Sequence, residues 1–208
     1  VSSTSVNVVQ KQAGVTIHPM EIVAPNGASV RDPLTTLLAR AIEFGYTPNQ
    51  AASLIKSGLG IDPSINLATY DAYAILTQVP AATAPEVAKA VTFLKIAGQV
   101  AMVASVSDPS GVQLALVAID AAKAGTHLNL RTDADLTNAG VGSGTLGMIS
   151  GLTKDMGDAG SLGGIASVWN DWAGKTDLLK PFLGHLEVIS VHINQAPTGF
   201  APDVLTDA

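Results

Sequence analysis

The side chains able to do chemistry are few and scattered. Four histidines, His18, His127, His185 and His192, show none of the spacings that set two imidazoles on one helix face around zinc. Two fall in expected strands and two near expected helix ends. Surface or capping roles account for each, and a zinc site would need the fold to assemble it. Serine and threonine are plentiful, but most stand where caps and turns need them. No Gly-x-Ser-x-Gly elbow marks a nucleophile. With no cysteine, thiolate metal sites, disulfides and cysteine nucleophiles are excluded. No catalytic residue is assigned.

The carboxylates are the next candidates. Asp133 and Asp135 flank Ala134, and Asp155 and Asp158 lie in a glycine-rich stretch. Calcium needs several hard oxygen ligands on one flexible loop. Neither the EF-hand pattern nor the Gly-Gly-x-Gly-x-Asp repeat is present. Asp-x-Asp also suits a helix N-terminus, where negative charge meets the macrodipole. Calcium stays open as the one cofactor; no other is implied. Gly140-Val141-Gly142-Ser143-Gly144-Thr145 has the glycine content of a phosphate-cradling loop but lacks the lysine, so it reads as a connection or a close helix contact. Trp169 and Trp172 stand at i and i+3 on one expected helix face. They are the candidate ligand-binding residues, as a stacking platform for sugar rings. The alternative is a core or domain-contact anchor.

Composition narrows the classes further. Of 208 residues, 47% are apolar and 13% charged, so the chain can bury a sizeable core. Aromatics are 4%, so small aliphatic side chains must fill that core. The net charge is −6, with no lysine or arginine cluster, which argues against nucleic acid as a partner. The most apolar stretch, 88–106, contains Lys95 and Gln99 and reads as a buried helix and not a membrane span. The chain opens on Val1 without a signal-peptide pattern and is expected to be a piece of a longer polypeptide.

The elements that must position these residues are mostly helical. Residues 5–8 and 15–18 alternate as strands, with 20–23 as a continuation, and Pro25-Asn26-Gly27 turns the chain. Asp32-Pro33 opens a helix, with Leu34, Leu37, Leu38, Ala41 and Ile42 as its stripe and Gly45 as its end. Thr47-Pro48 opens the next, which Gly58 is expected to end, making a helical hairpin. A short helix follows over 69–78. Thr83 and Glu86 form a capping box before a long helix with two apolar stripes, the candidate central helix. Asp108-Pro109-Ser110 breaks it, and another helix runs from Gly111 to Ala124. From 138 to 164 the glycine density predicts only short helices. A helix over 161–173 carries both tryptophans, and Thr176 caps a last one. Residues 187–194 alternate as a strand that can pair with the N-terminal strands.

Three segments resemble a known group. Residues 24–38, Ala-Pro-Asn-Gly-Ala-Ser-Val-Arg-Asp-Pro-Leu-Thr-Thr-Leu-Leu, are similar to a stretch recurring in very large bacterial repeat proteins. After a helical hairpin, Gly58-Leu59-Gly60-Ile61-Asp62 through Asn66-Leu67-Ala68-Thr69-Tyr70-Asp71 looks like a second signature of those proteins. The tail Asn194-Gln195-Ala196-Pro197-Thr198-Gly199-Phe200 is similar to the opening strand of their cadherin-like and immunoglobulin-like repeats. The group comprises secreted or surface-anchored proteins of the RTX and adhesin type. The resemblance covers about a third of the chain and implies export to the bacterial cell surface or exterior, and a role in attachment or biofilm. It carries no catalytic residues.

The expected fold is mainly α with a small β element (α+β). It is a bundle of five to seven helices with two to four short strands from the N- and C-terminal ends. Residues 1–194 form one module and 195–208 a linker toward a following repeat domain. The expected function is a non-catalytic structural or interaction module of an adhesin-like protein. Its partners would be neighbouring repeat domains and a surface glycan or protein. A glycan- or protein-binding module, or a fragment of a secreted hydrolase, are the alternatives.

Overall fold

A computed structural model describes residues 10–12, 15–18, 20–78, 82–161 and 163–168. These are mainly helical. The helices are α1 Pro33–Glu43, α2 Pro48–Leu59, α3 Ala72–Thr77, α4 Ala84–Ser107, α5 Val112–Lys123, α6 Asp133–Asn138 and α7 Ser143–Asp158. With a helical stretch at 163–168, the described residues exceed the expected five to seven by one.

The expected β element drawn from both chain ends is not supported. The only strand pairing among the described residues is a hairpin of β1 Gln10–Gln12 with β2 Val15–Ile17, antiparallel, with Lys11 opposite Thr16. Three residues a side give no sheet face large enough to form a layer. Residues 20–23 do not extend it, because their hydrogen bonds go elsewhere. Glu21 N–H reaches Pro109 O at 2.8 Å, and Val23 N–H reaches the Thr36 hydroxyl at 3.0 Å. The expected strands over 5–8 and 187–194, the last helix and the linker lie outside the described residues.

Local chemistry explains most helix starts. Asp32 accepts the Thr35 N–H at 2.7 Å while the Thr35 hydroxyl accepts the Asp32 N–H at 2.8 Å, with Pro33 in the first turn. Thr47 and Gln50 repeat the arrangement at α2. At α4, the Glu86 carboxylate accepts from both the Thr83 N–H, at 2.9 Å, and its hydroxyl, at 2.7 Å. The α1 stripe packs inward as expected: Leu34, Leu37, Leu38 and Ala41 are buried, with Ile42 at the margin.

The helix α2 does not stop at Gly58. It continues to Leu59, and Gly60, at φ +65°, caps it in the left-handed region. Gly58 serves a different purpose. A Cβ placed there would lie 1.9 Å from the Ala118 carbonyl oxygen of α5. The α2 and α5 backbones therefore touch where neither residue carries bulk.

Helix α4 is the centre of the bundle. It packs against α1, α3, α5 and α7, which is why its apolar residues surround it. It is long and apolar enough to cross a bilayer, but 56% of its apolar window is buried inside the fold. Buried Gln99 donates to the Thr153 carbonyl of α7 at 2.7 Å, which satisfies both polar groups. Gly98 meets the Met156 thioether.

The glycine-dense stretch forms a 16-residue helix, α7, where short helices were expected. Its buried residues Thr145, Ile149, Leu152, Thr153 and Met156 keep helical spacing despite the intervening glycines. Tertiary packing against α4 and α6 outweighs the propensity cost of about 1 kcal/mol per glycine relative to alanine.

Two tests follow from this packing. Gly58→Ala must push α2 and α5 apart, because the clashing atom is backbone. Urea unfolding is expected to show at least the roughly 1–3 kcal/mol loss typical of overpacking. Gly98→Ala meets only the movable end of Met156, and the helix-propensity gain of about 0.5–1 kcal/mol should leave it near neutral or stabilised. Equal effects would refute the backbone contact. At Asp32, burial pushes the carboxyl above its ordinary value, opposed by the Thr35 and Leu34 amides. A raised carboxyl favours the protonated form in the fold, so stability from this group is greatest at low pH and is lost as pH rises through the folded value. Asp32→Asn keeps the cap without the charge and is expected to match or exceed the parent at neutral pH. Asp32→Ala should cost about 1 kcal/mol.

Candidate functional site

One hollow among the described residues brings an imidazole and carboxylates to the same surface. It is an open groove of about 360 Å³ between α5, the 126–128 segment and α6. Val117, Ala121 and Leu128 supply apolar lining, and Asp120, His127 and Asp135 supply the titratable groups.

Each polar group is set by a local requirement. Gly125, at φ +71°, turns the chain out of α5, and the Thr126 hydroxyl donates to Ala121 O at 3.1 Å. The next residue, His127, is exposed, and its Nδ1 lies 2.6 Å from Ser57 O in the last turn of α2. A carbonyl only accepts, so Nδ1 carries a proton in this contact. Leu128 N–H then donates to Gly58 O at 2.7 Å. Residues 127 and 128 thus satisfy two carbonyls at the C-terminal end of α2. Asp135 stands in the first turn of α6 with Asp133, and its Oδ2 accepts the Asn129 N–H at 2.8 Å.

This arrangement gathers an imidazole and carboxylates on one surface but no assembled reaction centre. The Thr126 hydroxyl is engaged by the end of α5. Among the described residues, no three histidine, aspartate or glutamate side chains are grouped to hold a metal ion. The groove was not visible in the sequence, because Asp120, His127 and Asp135 share no motif and reach one surface only through the α5–α6 connection.

The other candidates separate in space. Asp133 and Asp135 occupy a helix N-terminus, one of the two readings open for them. Asp158 ends α7 and pairs with Arg131. In the 140–145 run, Gly140 takes φ +89° after α6, Gly142 is the N-cap of α7, and the Thr145 hydroxyl donates to Gly142 O at 2.9 Å. His18 contributes its backbone N–H to Ser105 O at 3.0 Å. Trp169, Trp172, His185 and His192 lie outside the described residues.

A second polar cluster sits on the 60–71 loop. Asp62 Oδ1 accepts the Ser64 hydroxyl at 2.6 Å and its N–H at 2.8 Å, and Lys89 of α4 approaches Oδ2 at 3.1 Å. Lys56 Nζ donates to Pro63 O at 2.6 Å and Ile65 O at 3.0 Å. The Tyr70 ring meets Phe93 edge-on at 5.0 Å. These contacts fasten the loop to α2 and α4.

No family model matches the chain, nor does any curated protein or solved structure.

The loop makes a measurable claim. Hydrogen bonds from Ser64, then the Lys89 ammonium, push the Asp62 carboxyl down from 3.8 to about 2. A depressed carboxyl adds stability that is present above its ordinary value and lost as pH falls through the folded value. The window for loosening this loop therefore runs from 3.8 down to about 2. Carboxyl NMR titration should place the Asp62 midpoint near the bottom of that window, and Ser64→Ala should move it upward. A midpoint in the parent at the ordinary value would contradict the hydrogen-bonded loop.

Proposed function

We propose that this chain is a non-catalytic structural or interaction module of a large secreted or cell-surface bacterial protein of adhesin type. Neighbouring repeat domains of the same polypeptide are its first partners, and a surface glycan or protein is the outer one. The observation that supports this reading is how residues 24–38 are spent. Asn26-Gly27 forms a turn closed by Ala28 N–H on Pro25 O at 3.1 Å. Asp32 caps α1. The Thr36 hydroxyl, fully buried, accepts Val23 N–H and lies 3.1 Å from both Val23 O and Asp32 O. Thr35 is buried too, its hydroxyl donating to Asp32 O at 2.8 Å. Arg40 ties the same segment to the rest: Nε donates to Ser110 O at 2.9 Å, and the guanidinium pairs with Glu21 at 2.8 Å. In residues 24–38 the capping and buried hydroxyl groups hold chain to chain, and no set of catalytic side chains is gathered there.

A hydrolytic reading has one observation in its favour, the shared lining of the groove by His127, Asp120 and Asp135. The two readings separate experimentally. In cells making the parent polypeptide, removing this segment in frame should leave export intact, as read by antibody on the surface and in the medium, and should reduce attachment to a glycan- or protein-coated surface. His127→Ala should leave attachment unchanged. Attachment that survives the deletion, together with an ester-, peptide- or glycoside-cleaving activity of the purified chain that His127→Ala abolishes, would overturn the module reading.

A further inference from the structure

We propose that Asn26 is a site of spontaneous covalent modification, its side chain closing on the Gly27 amide nitrogen to a succinimide that opens to aspartate or isoaspartate. Four observations on one turn carry this. Asn26 and Gly27 are both exposed. Gly27 adopts φ +84°, and beyond its chain neighbours the space where a Cβ would stand is empty to 4 Å, so no side chain crowds the residue. Among the described residues, neither the Asn26 amide nor the Gly27 N–H takes part in a hydrogen bond, whereas the neighbouring Ala28 N–H is held by Pro25 O. The segment Met20–Val23 before the turn and Asp32 after it are both tied down, so the reacting pair stays in solvent while its surroundings stay folded.

The other asparagines in ordered loops are exposed too, but differ in their hydrogen bonds and in the residue that follows. The Asn66 carbonyl accepts Ala68 N–H at 3.1 Å and precedes buried Leu67. The Asn129 carbonyl accepts Arg131 N–H at 3.2 Å and precedes buried Leu130. Their side chains are already engaged, and a branched residue crowds the attacking nitrogen.

The step balances with water alone. Gly27 N loses its proton to solvent base and attacks Asn26 Cγ, forming a C–N bond. The side-chain nitrogen takes a proton and leaves as ammonia. Water then adds to one imide carbonyl. Breaking the new N–Cγ bond gives aspartate; breaking the original peptide C–N bond gives isoaspartate, with the chain now running through the side chain. Either product adds one negative charge to the turn. Isoaspartate also lengthens the main chain by one methylene inside a turn closed at 3.1 Å, next to the Ser29 N–H that holds Ala68 O at 2.9 Å.

Ageing the purified chain at mildly alkaline pH, then digesting with trypsin, tests this directly. Cleavage after Lys11 and Arg31 isolates residues 12–31 with Asn26 as the sole asparagine, and peptides 57–89 and 124–131 isolate Asn66 and Asn129 in the same way. Mass spectrometry with isoaspartate methyltransferase labelling should find conversion at Asn26 first, while the other two peptides remain intact. Asn26→Gln, which would need a slower six-membered closure and preserves Gly27, should abolish labelling of peptide 12–31 with the circular dichroism unchanged. Gly27→Ala should slow it several-fold. Conversion at Asn26 no faster than at Asn66 or Asn129, or labelling of 12–31 that persists in Asn26→Gln, would overturn the proposal.

Discussion

The backbone contact between α2 and α5 is the constraint on which the rest of the bundle depends. At Gly58 the Ala118 carbonyl occupies the space that any side chain would need. Two helices this close exclude water with small residues at the crossing and aliphatic ones around it, which is the packing left open to a chain with 4% aromatics. The contact also fixes the neighbours. Because α5 lies against the end of α2, the segment leaving α5 passes the open carbonyls of Ser57 and Gly58, and the His127 ring and the Leu128 amide close them. On the other side, α1 packs on both α2 and α5, so the caps that begin α1 and α2 set the angle of the hairpin that delivers Gly58.

The same logic explains the polar groups in the interior. Thr35 and Thr36 are fully buried hydroxyls, and in that position each would be costly without a partner. Thr35 is satisfied by the Asp32 backbone in the cap of α1, and Thr36 by the extended chain over 21–23, which has no strand beside it and needs partners as much as it does. Gln99 and the Thr153 carbonyl make a second such exchange between α4 and α7. At 21–23 the Thr36 hydroxyl substitutes for missing regular structure, and holds that irregular segment against the helical core.

How much of this was legible follows from the range of the interaction involved. Asp32-Pro33, Thr47-Pro48 and Thr83 with Glu86 were readable because a cap is settled within four residues of chain. The α1 stripe was readable because its period is local. Gly58 was misread as a helix end because a glycine there satisfies the local pattern of a terminator, while its reason lies on Ala118, in another helix. The length of α7 was missed for a related cause: propensity argues against glycine in helices, and only contacts with α4 and α6 outweigh it. The extended run over 20–23 looked like a strand because its partners, Pro109 and the Thr36 hydroxyl, are not strands. The groove at His127 had no sequence signal at all, since Asp120, His127 and Asp135 come together through one turn and two caps.

These distances in sequence also bear on what the motifs mean. A run of residues that binds something outside the chain presents groups with capacity left over. In 24–38 and 58–71 the opposite holds for most of the polar groups. Asp32, Thr35, Thr36, Asp62, Ser64 and Asn66 each have an oxygen committed to a backbone or side-chain donor, and Lys56 spends its ammonium on two carbonyls. Such commitment makes the segments intolerant of change for reasons of folding alone, so a pattern can recur across proteins with unlike ligands. Asn26 and Gly27, like the exposed side chains of Ser29 and Arg31, keep polar atoms of the first motif uncommitted. The turn needs only their backbone geometry and leaves their amide groups to solvent, and it is there that reactivity survives in a segment otherwise devoted to holding the chain in place.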